Sequence, residues 1–398
     1  MSAEHWPEIL ANWPRALASG ALPVLLADRP DSYGELLRAA GAAGLRVLPV
    51  GVGDVLDEPV ACAGFDLAVR ADWDTKLVAY EPGEAVVTVT GNYAWAELER
   101  RVAAEGQQLS PWLAGRKGTV AGVLARGLSG LDRGFYGGLR HQVLGMRVLL
   151  SDGTQAQVGG RLVKNVAGFD LPRLFAGSAG RFGVILEASL RTFPRPAVEE
   201  VWDLGAHDLD RALLLCERLH TARLPGAQVL WQHSSAAEVH LHLWVRGSAG
   251  ACSDTRRVIA PVAGVQEVQR GKDAQTWLST RARAWSSPAP GPCLQVLGSA
   301  PDWWRHGAAF LRECPVSSGL ALPGTFEARF MGTEQGWSPS ARLHLQNSPF
   351  ALRWLKTGSA PVPELLGRLS PGVREAQEKL RGAFDPSGTL SPDPEVPA

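Results

Sequence analysis

Between residues 31 and 195, short β-branched runs alternate with stretches whose apolar residues recur at helical spacing. That grammar belongs to an α/β or α+β domain. Ser32 and Glu35 stand at capping-box spacing ahead of Leu36, Leu37 and Ala40, so a helix is expected to begin there and to end near Gly44. Arg46 to Val50 then reads as a buried strand. Leu77 to Tyr80 and Ala85 to Val89 are expected to pair across Glu81-Pro82-Gly83, where proline fixes φ and glycine accepts a positive φ. Trp95, Leu98 and Val102 share one side of a helix from about Tyr93 to Glu105, with Gly106 as its stop. Val143 to Leu150 and Thr154 to Val158 flank Ser151-Asp152-Gly153, whose Asp-Gly step signals a hairpin. Val184 to Phe193 closes the series as a last strand before Pro194 and Pro196.

After that proline pair the texture changes. Glycine motifs disappear and tryptophans cluster, from Trp231 to Trp354, which places a domain boundary at about residue 197. The second region reads as strand, helix, strand, strand, repeated, with a helix at Leu209 to His220 and strands at Val229 to Gln232 and Val239 to Val245. An antiparallel sheet backed by helices is expected. His240 and His242 alternate with Leu241 and Leu243; no third ligand is identifiable, so a solvated strand face is the expectation rather than a metal pair. Ser286 to Pro292 reads as a loop, and a helix from about Val373 to Phe384 ends at Asp385-Pro386.

Composition narrows the function classes. The 398 residues carry 40 basic and 40 acidic side chains without a block of like charge, so the electrostatic footprint of a nucleic-acid or anionic-membrane binder is missing. No apolar run approaches the roughly 18 residues of a membrane span. Glu4, His5, Pro7, Glu8 and Pro14 break up the first residues, so no secretory signal is expected. Cys62, Cys216, Cys252, Cys293 and Cys314 form an odd set without a C-x-x-C pair, which argues against a disulfide framework or a tetrathiolate zinc site and fits a reducing cytoplasm.

No G-x-G-x-x-G opens a helix and no G-x-x-x-x-G-K-[ST] occurs, so the dinucleotide and P-loop fingerprints are missing. Two other glycine-rich segments stand out: Gly115 to Gly122, leading to Ser129-Gly130, and Gly159 to Asp170, running on to Gly177-Ser178-Ala179-Gly180-Arg181-Phe182-Gly183. Glycines at that density let backbone N–H groups approach a bound group, and a turn feeding a helix aims several of them at an anion such as a diphosphate. For either segment taken alone, turns and tight packing are the simpler explanation of the same glycines, so the residues by themselves leave the ligand open.

The segment GGRLVKNVAGFDLPRLFAGSAGRFGVILEASLRTFPRP, preceded by GTVAGVLARGLSG and LRHQVLGMRVLLSDG, closely resembles the PCMH-type FAD-binding domain of the vanillyl-alcohol-oxidase superfamily. Within it, the chain is similar to the FAD-binding E subunits of glycolate oxidase. The resemblance covers about residues 20 to 200 and recurs in ALRWLKTG and LRGAFDPSGTL near the C-terminus. It implies an α+β fold: an FAD-binding domain of two α+β subdomains over residues 1–197, an α+β cap domain with an antiparallel sheet over 198–350, and a C-terminal segment over 351–398 returning to the FAD domain.

The same resemblance implies noncovalent FAD, since the covalent-flavin histidine of some relatives has no counterpart in the first pyrophosphate loop, Val50-Gly51-Val52-Gly53-Asp54. Besides Gly51 and Gly53, it assigns to the cofactor Gly118, Thr119, Gly122, Leu128 and Ser129, then Lys164, Asn165, Gly168 and Asp170, and finally Gly177, Ser178, Gly183 and Ile185. Three departures stand out. Relatives that oxidise 2-hydroxy acids carry a metal-holding His-x-Gly-Asp-Gly-Asn-x-His stretch that this chain lacks, tend to have Glu where it has Ala179, and close with Asn-Pro-Gly-Arg where it has Ser391-Pro392-Asp393-Pro394. No catalytic or metal residue is therefore assigned. The function implied is a cytoplasmic FAD-binding subunit of a glycolate oxidase-like complex, with a catalytic flavoprotein subunit, an iron-sulfur subunit and a small 2-hydroxy acid as partners. The alternatives are a self-sufficient FAD oxidoreductase acting on a hydroxy acid or sugar lactone, and a redox-silent subunit that has lost its flavin.

Overall fold

The computed structural model describes residues 22–52, 62, 64–161, 170–222, 224, 226–233, 238–286, 293–297, 300–313, 316–322, 327–332, 351–356 and 371–391. The chain divides into two units. One comprises Met1–Ser129, Gly138–Pro194 and Leu369–Ala398, the other Gly130–Gly137 and Arg195–Arg368.

In the first unit, β1 (Val24–Ala27), α1 (Pro30–Ala42), β2 (Val47–Val50) and β3 (Leu67–Ala71) build a parallel sheet of order β1-β3-β2 with the helix packed on it. Tyr33, Leu36, Leu37 and Ala40 of α1 meet Leu25, Val47, Leu67 and Val69 in one buried cluster. The helix starts at Pro30, two residues earlier than the capping-box spacing suggests, because proline is pre-organised for the first helical position. Ser32 consequently sits inside the first turn, where its hydroxyl accepts from the Arg29 N–H at 3.2 Å and donates to the Asp28 carboxylate at 2.7 Å. Gly44 ends the helix with φ +67°.

The chain continues through β4 (Leu77–Glu81), β5 (Val86–Thr90), α2 (Trp95–Ala103), β6 (Gln107–Gln108), α3 (Val120–Arg126), β7 (Val143–Leu149), β8 (Gln155–Gly159), β9 (Val184–Arg191) and β10 (Phe193–Pro194). An antiparallel sheet of order β4-β5-β9-β7-β8 results. Trp95, Leu98 and Val102 are fully buried against Val87, Val89, Val148 and Ala188, as their helical spacing predicts. At the β4–β5 corner the left-handed residue is Ala85, with φ 55°, and not Gly83. Pro82–Glu84 winds into a single tight helical turn, which delays the reversal to its last residue.

The second unit runs through β11 (Val198–His207), α4 (Leu209–Thr221), β12 (Ala227–His233), β13 (Val239–Gly247), α5 (Ala249–Ile259), β14 (Glu267–Arg270), α6 (Gly271–Ser286), β15 (Cys293–Leu297), α7 (Ala300–Glu313), β16 (Val316–Leu322), β17 (Glu327–Gly332) and β18 (Ala351–Lys356). Every strand pairing is antiparallel, in the order β14-β11-β13-β12-β16-β17-β15-β18. Trp202, Leu213, Leu219, Trp231, Leu241, Leu243 and Cys252 join one apolar core. At His242 the face is not solvated, while His240 is half-buried. His242 is 7% exposed and its ring lies 4.6 Å from that of Trp277, because α6 covers that side of β13.

After the second unit, α8 (Pro371–Phe384) belongs again to the first. Its Phe384 ring packs 5.6 Å from Phe175 and 5.9 Å from Phe182. Asp385 does more than end the helix: it is buried, and its Oδ2 accepts the Leu390 N–H at 3.0 Å and the Ser391 hydroxyl at 2.9 Å. The turn so held presents the Thr389 carbonyl to the Val47 N–H at 2.7 Å. Among the described residues no helix is long and apolar enough to cross a membrane.

Candidate functional site

The carboxyl end of β2 meets the amino end of α3. Gly51, just past β2, approaches Thr119 so closely that a β-carbon on it would stand 2.4 Å from Thr119 Oγ1. Thr119 is the N-cap of α3 and its hydroxyl accepts the Gly122 N–H at 3.1 Å. The start of α3 is pinned further by Trp95 N–H to the Gly118 carbonyl at 2.9 Å, Val120 N–H to Tyr93 at 2.8 Å and Ala121 N–H to Gly91 at 2.8 Å.

Gly91 is a site residue that the glycine runs did not reveal. A β-carbon there would stand 2.0 Å from the Ile185 carbonyl oxygen and 3.2 Å from the Ala121 β-carbon, so only glycine lets β9 and α3 close on the end of β5. Its one sequence signal is an isolated glycine directly after the β-branched run Val86 to Thr90.

The other end of α3 is closed by Gly127, with φ +60°, whose N–H bonds to Leu124 at 3.0 Å while Leu128 N–H bonds to Val123 at 3.1 Å. The loop from 177 to 183 docks there. Gly177 N–H donates to Leu124 at 2.9 Å and Ala179 N–H to Ala125 at 2.8 Å. Gly180 faces the Pro49 ring, its would-be β-carbon 3.5 Å from Pro49 Cγ, and Gly183 presses on the Leu149 carbonyl. Ala179 holds φ 55°, an unusual conformation for a residue with a β-carbon.

Gly51, Gly118, Thr119, Gly122, Gly177, Ser178, Gly183 and Ile185 thus gather around α3 and the end of β2, with Leu128 and the buried Ser129 directly following. Asp170 is exposed, and its Oδ2 is paired with Arg173 Nε at 2.8 Å. Gly53, Lys164, Asn165 and Gly168 lie outside the described residues. The gathered residues also divide by role. The N–H groups of Gly122, Gly177, Ser178 and Gly183 are spent on internal bonds, so these residues shape the loops. The N–H groups of Gly51, Val52, Gly118 and Thr119 make no hydrogen bond among the described residues, and Gly118 combines φ +151° with open space where a side chain would stand. Unpaired amides beside a helix start, left uncovered by side chains, fit the diphosphate of a dinucleotide.

Two cations accompany the loop. Arg181 is made less basic than usual by desolvation and then by the charge of Arg381, and neither forms an ion pair with a described carboxylate. Elsewhere in this unit, a cleft of about 500 Å³ at the carboxyl ends of β1 and β3 is lined by Asp28, Asp72, Trp73, Asp74, Thr90 and Arg147 among others. It includes none of the residues expected from the sequence.

Residues 22–159 match the FAD binding domain family. The chain is 38% identical over 275 residues to the glycolate oxidase subunit GlcE of Escherichia coli (strain K12), which covers 66% of this chain and 76% of that one. Glycolate oxidase subunit GlcD of Bacillus subtilis (strain 168) is 26% identical over 178 residues, 44% of this chain and 38% of its own length. A D-2-hydroxyglutarate dehydrogenase of Xanthomonas citri pv. viticola is 24% identical over 200 residues, 50% of this chain and 42% of its own. A solved alkyldihydroxyacetonephosphate synthase superposes with TM-score 0.64 at 13% identity, over 94% of this chain and 78% of that one, which shows a shared fold. Since 38% identity extends over 76% of GlcE and the FAD binding domain family covers the region in which β2 and α3 meet, the chain belongs to the GlcE family of FAD-binding glycolate oxidase subunits.

Proposed function

We propose that this chain is the FAD-binding subunit of a cytoplasmic glycolate oxidase-like complex acting on a small 2-hydroxy acid, and that it holds FAD noncovalently. The observation that carries the reading is the closure of Gly51 on Thr119 beside unpaired backbone N–H groups. In this reading the Gly51, Gly118 and Thr119 amides hold the diphosphate. Leu128, Ser129 and Ile185 line the flavin, with Gly53, Lys164, Asn165 and Gly168 completing the site by their position in the family pattern. FAD, when bound, supplies the acceptor for the two electrons that leave the hydroxy acid. Gly51-Val52 is followed by Gly53-Asp54 with no histidine, which supports noncovalent attachment.

Oxidising a 2-hydroxy acid also requires groups that hold its carboxylate and take its hydroxyl proton. The histidine stretch that relatives use for this is missing from the chain. The reading therefore assigns those groups to a catalytic flavoprotein subunit, with an iron-sulfur subunit as electron outlet. The experiment is to assay glycolate and D-lactate with a dye acceptor, using the purified chain alone and the chain co-expressed with a catalytic subunit. Turnover only in the co-expressed complex is expected; turnover near 1 per second or above, the ordinary range for enzymes at about 1 to 1,000 per second, by the single chain would contradict it.

A further inference from the structure

The segment from Leu109 to Gly118 leads to the start of α3 and ends at Gly118 and Thr119, whose N–H groups stay unpaired among the described residues. It contains no helix or strand, so its path is set by what anchors it. In its middle stand two consecutive left-handed residues, Ala114 with φ 52° and Gly115 with φ +76°. Glycine adopts that conformation without strain, whereas the β-carbon of alanine crowds the following carbonyl. The turn therefore needs holding from outside, and Glu99 of α2 holds it. Its Oε1 accepts the Leu113 N–H at 2.7 Å and its Oε2 the Gly115 N–H at 3.0 Å, so one carboxylate straddles Ala114 with two charge-assisted bonds. The Leu113 side chain is fully buried in the same core as Trp95 and Leu98.

The far end of the segment is tied to the same helix. Trp95, the first residue of α2, donates its N–H to the Gly118 carbonyl at 2.9 Å, and Ala94 pairs with Thr119 in an isolated antiparallel bridge. Trp95 and Glu99 are four residues apart and so share one side of α2. The helix thus grips the segment twice, once through its backbone and once through the Glu99 carboxylate. Only the second grip can be removed by changing a side chain.

We infer that Glu99 is a positioning residue for the cofactor: by holding Leu113 and Gly115 it fixes the course of the chain into Gly118 and Thr119, and with it the direction of their unpaired amides. This rests on the reading that those amides take the FAD diphosphate. The sign of the effect separates positioning from charge. A carboxylate repels a diphosphate, so if Glu99 acted through its charge alone, removing it would tighten FAD binding. Acting through the loop, its removal weakens binding.

The test measures FAD dissociation constants and melting temperatures of the full chain as wild type, Glu99→Ala, Glu99→Gln and Glu97→Ala. Glu97 lies on the same helix and its Oε2 accepts from Arg100 Nε at 3.0 Å, so its variant removes the same charge without touching the loop. Glu99→Ala is expected to bind FAD about tenfold or more weakly. Glu99→Gln, which keeps one acceptor oxygen, falls between it and wild type, and Glu97→Ala binds as wild type. Coupling is reciprocal, so the wild-type chain alone gives a second reading: whatever the Glu99 grip adds to FAD binding, bound FAD adds to the grip. Saturating FAD should slow amide exchange at Leu113 and Gly115 about tenfold. It should leave Thr154 unchanged, whose N–H also rests on a carboxylate, Asp152 Oδ1 at 2.8 Å, but in an exposed hairpin. That exchange decides if the Glu99 variants do not fold. Unchanged or tighter FAD binding by folded Glu99→Ala, equal weakening by Glu97→Ala, or exchange at Leu113 and Gly115 that ignores FAD overturns the inference while leaving the FAD reading intact. Failure of the wild-type chain to take up FAD overturns both.

Discussion

Gly51 and Thr119 stand so close that a single added carbon on Gly51 would fall 2.4 Å from the Thr119 hydroxyl oxygen and 3.1 Å from its methyl group. The parallel sheet and the α3 cap are locked together at this point without a side chain between them. Replacing Thr119 by alanine removes both atoms and leaves only its β-carbon, 3.3 Å away. Gly51→Ala is therefore expected to destabilise the protein by about 1 to 3 kcal/mol, the usual range for overpacking. Thr119→Ala alone costs about 1 kcal/mol as a lost cap. In the double variant the glycine substitution becomes nearly free. Urea unfolding of the four proteins measures the coupling, and strict additivity would show that the close approach does not exist.

Gly118 separates cofactor binding from folding. Its φ of +151° disfavours any side chain, and the space beside it is open but for Val123 Cγ2 at 3.9 Å. Gly118→Val is expected to abolish FAD retention because it covers the unpaired amides as well as straining the backbone. Gly83 also faces open space, with no left-handed φ, so Gly83→Val serves as the control. Fluorescence titration with FAD of both refolded variants reads the difference, and equal loss in both would reduce the Gly118 effect to general destabilisation.

Local patterns made the frame legible. The helix of Trp95, Leu98 and Val102, the Asp152-Gly153 hairpin and the antiparallel second sheet are where periodicity and turn chemistry place them. Local patterns fail where a distant residue decides. Gly91 looks like any strand-end glycine until the Ile185 carbonyl, far along the chain, is brought against it. His242 on β13 looks solvated until α6 lays Trp277 over it. Glycine density found the neighbourhood of α3, but it did not distinguish residues that shape loops from those whose N–H groups stay unpaired, because that depends on hydrogen bonds across three elements.

Asp385 ties down the returning C-terminal segment. Asp385→Ala leaves the Leu390 N–H and the Ser391 hydroxyl without their acceptor in a buried place. A loss of about 2 to 4 kcal/mol is expected from two unsatisfied donors. Because the Thr389 carbonyl bonds to Val47 N–H on β2, accelerated amide exchange at Val47 should accompany it. Unchanged exchange there would mean that the segment is held by other groups.

His242 gives the second unit an acid limit. Burial first, with smaller contributions from Arg281 and His240, lowers its pKa to about 4 against the opposing pull of Asp203. The unfolded chain takes up a proton near pH 6.5, which the folded chain refuses until about pH 4. Stability is thus complete above pH 6.5 and declines as the pH falls through that window, by at most about 1.4 kcal/mol per unit. His242→Asn should flatten the decline in melting temperature between pH 7 and 4.5 relative to wild type. Parallel curves for the two proteins would remove His242 as the cause.

The most direct measurement is the visible spectrum of the purified full chain, followed by acid precipitation and identification of any released flavin. The account predicts a yellow protein carrying one FAD per chain, all of it in the supernatant after acid. Stripped protein should gain about 2.7 kcal/mol of stability with FAD at 100 times its dissociation constant. A colourless chain that neither takes up added FAD nor gains stability from it would contradict the account.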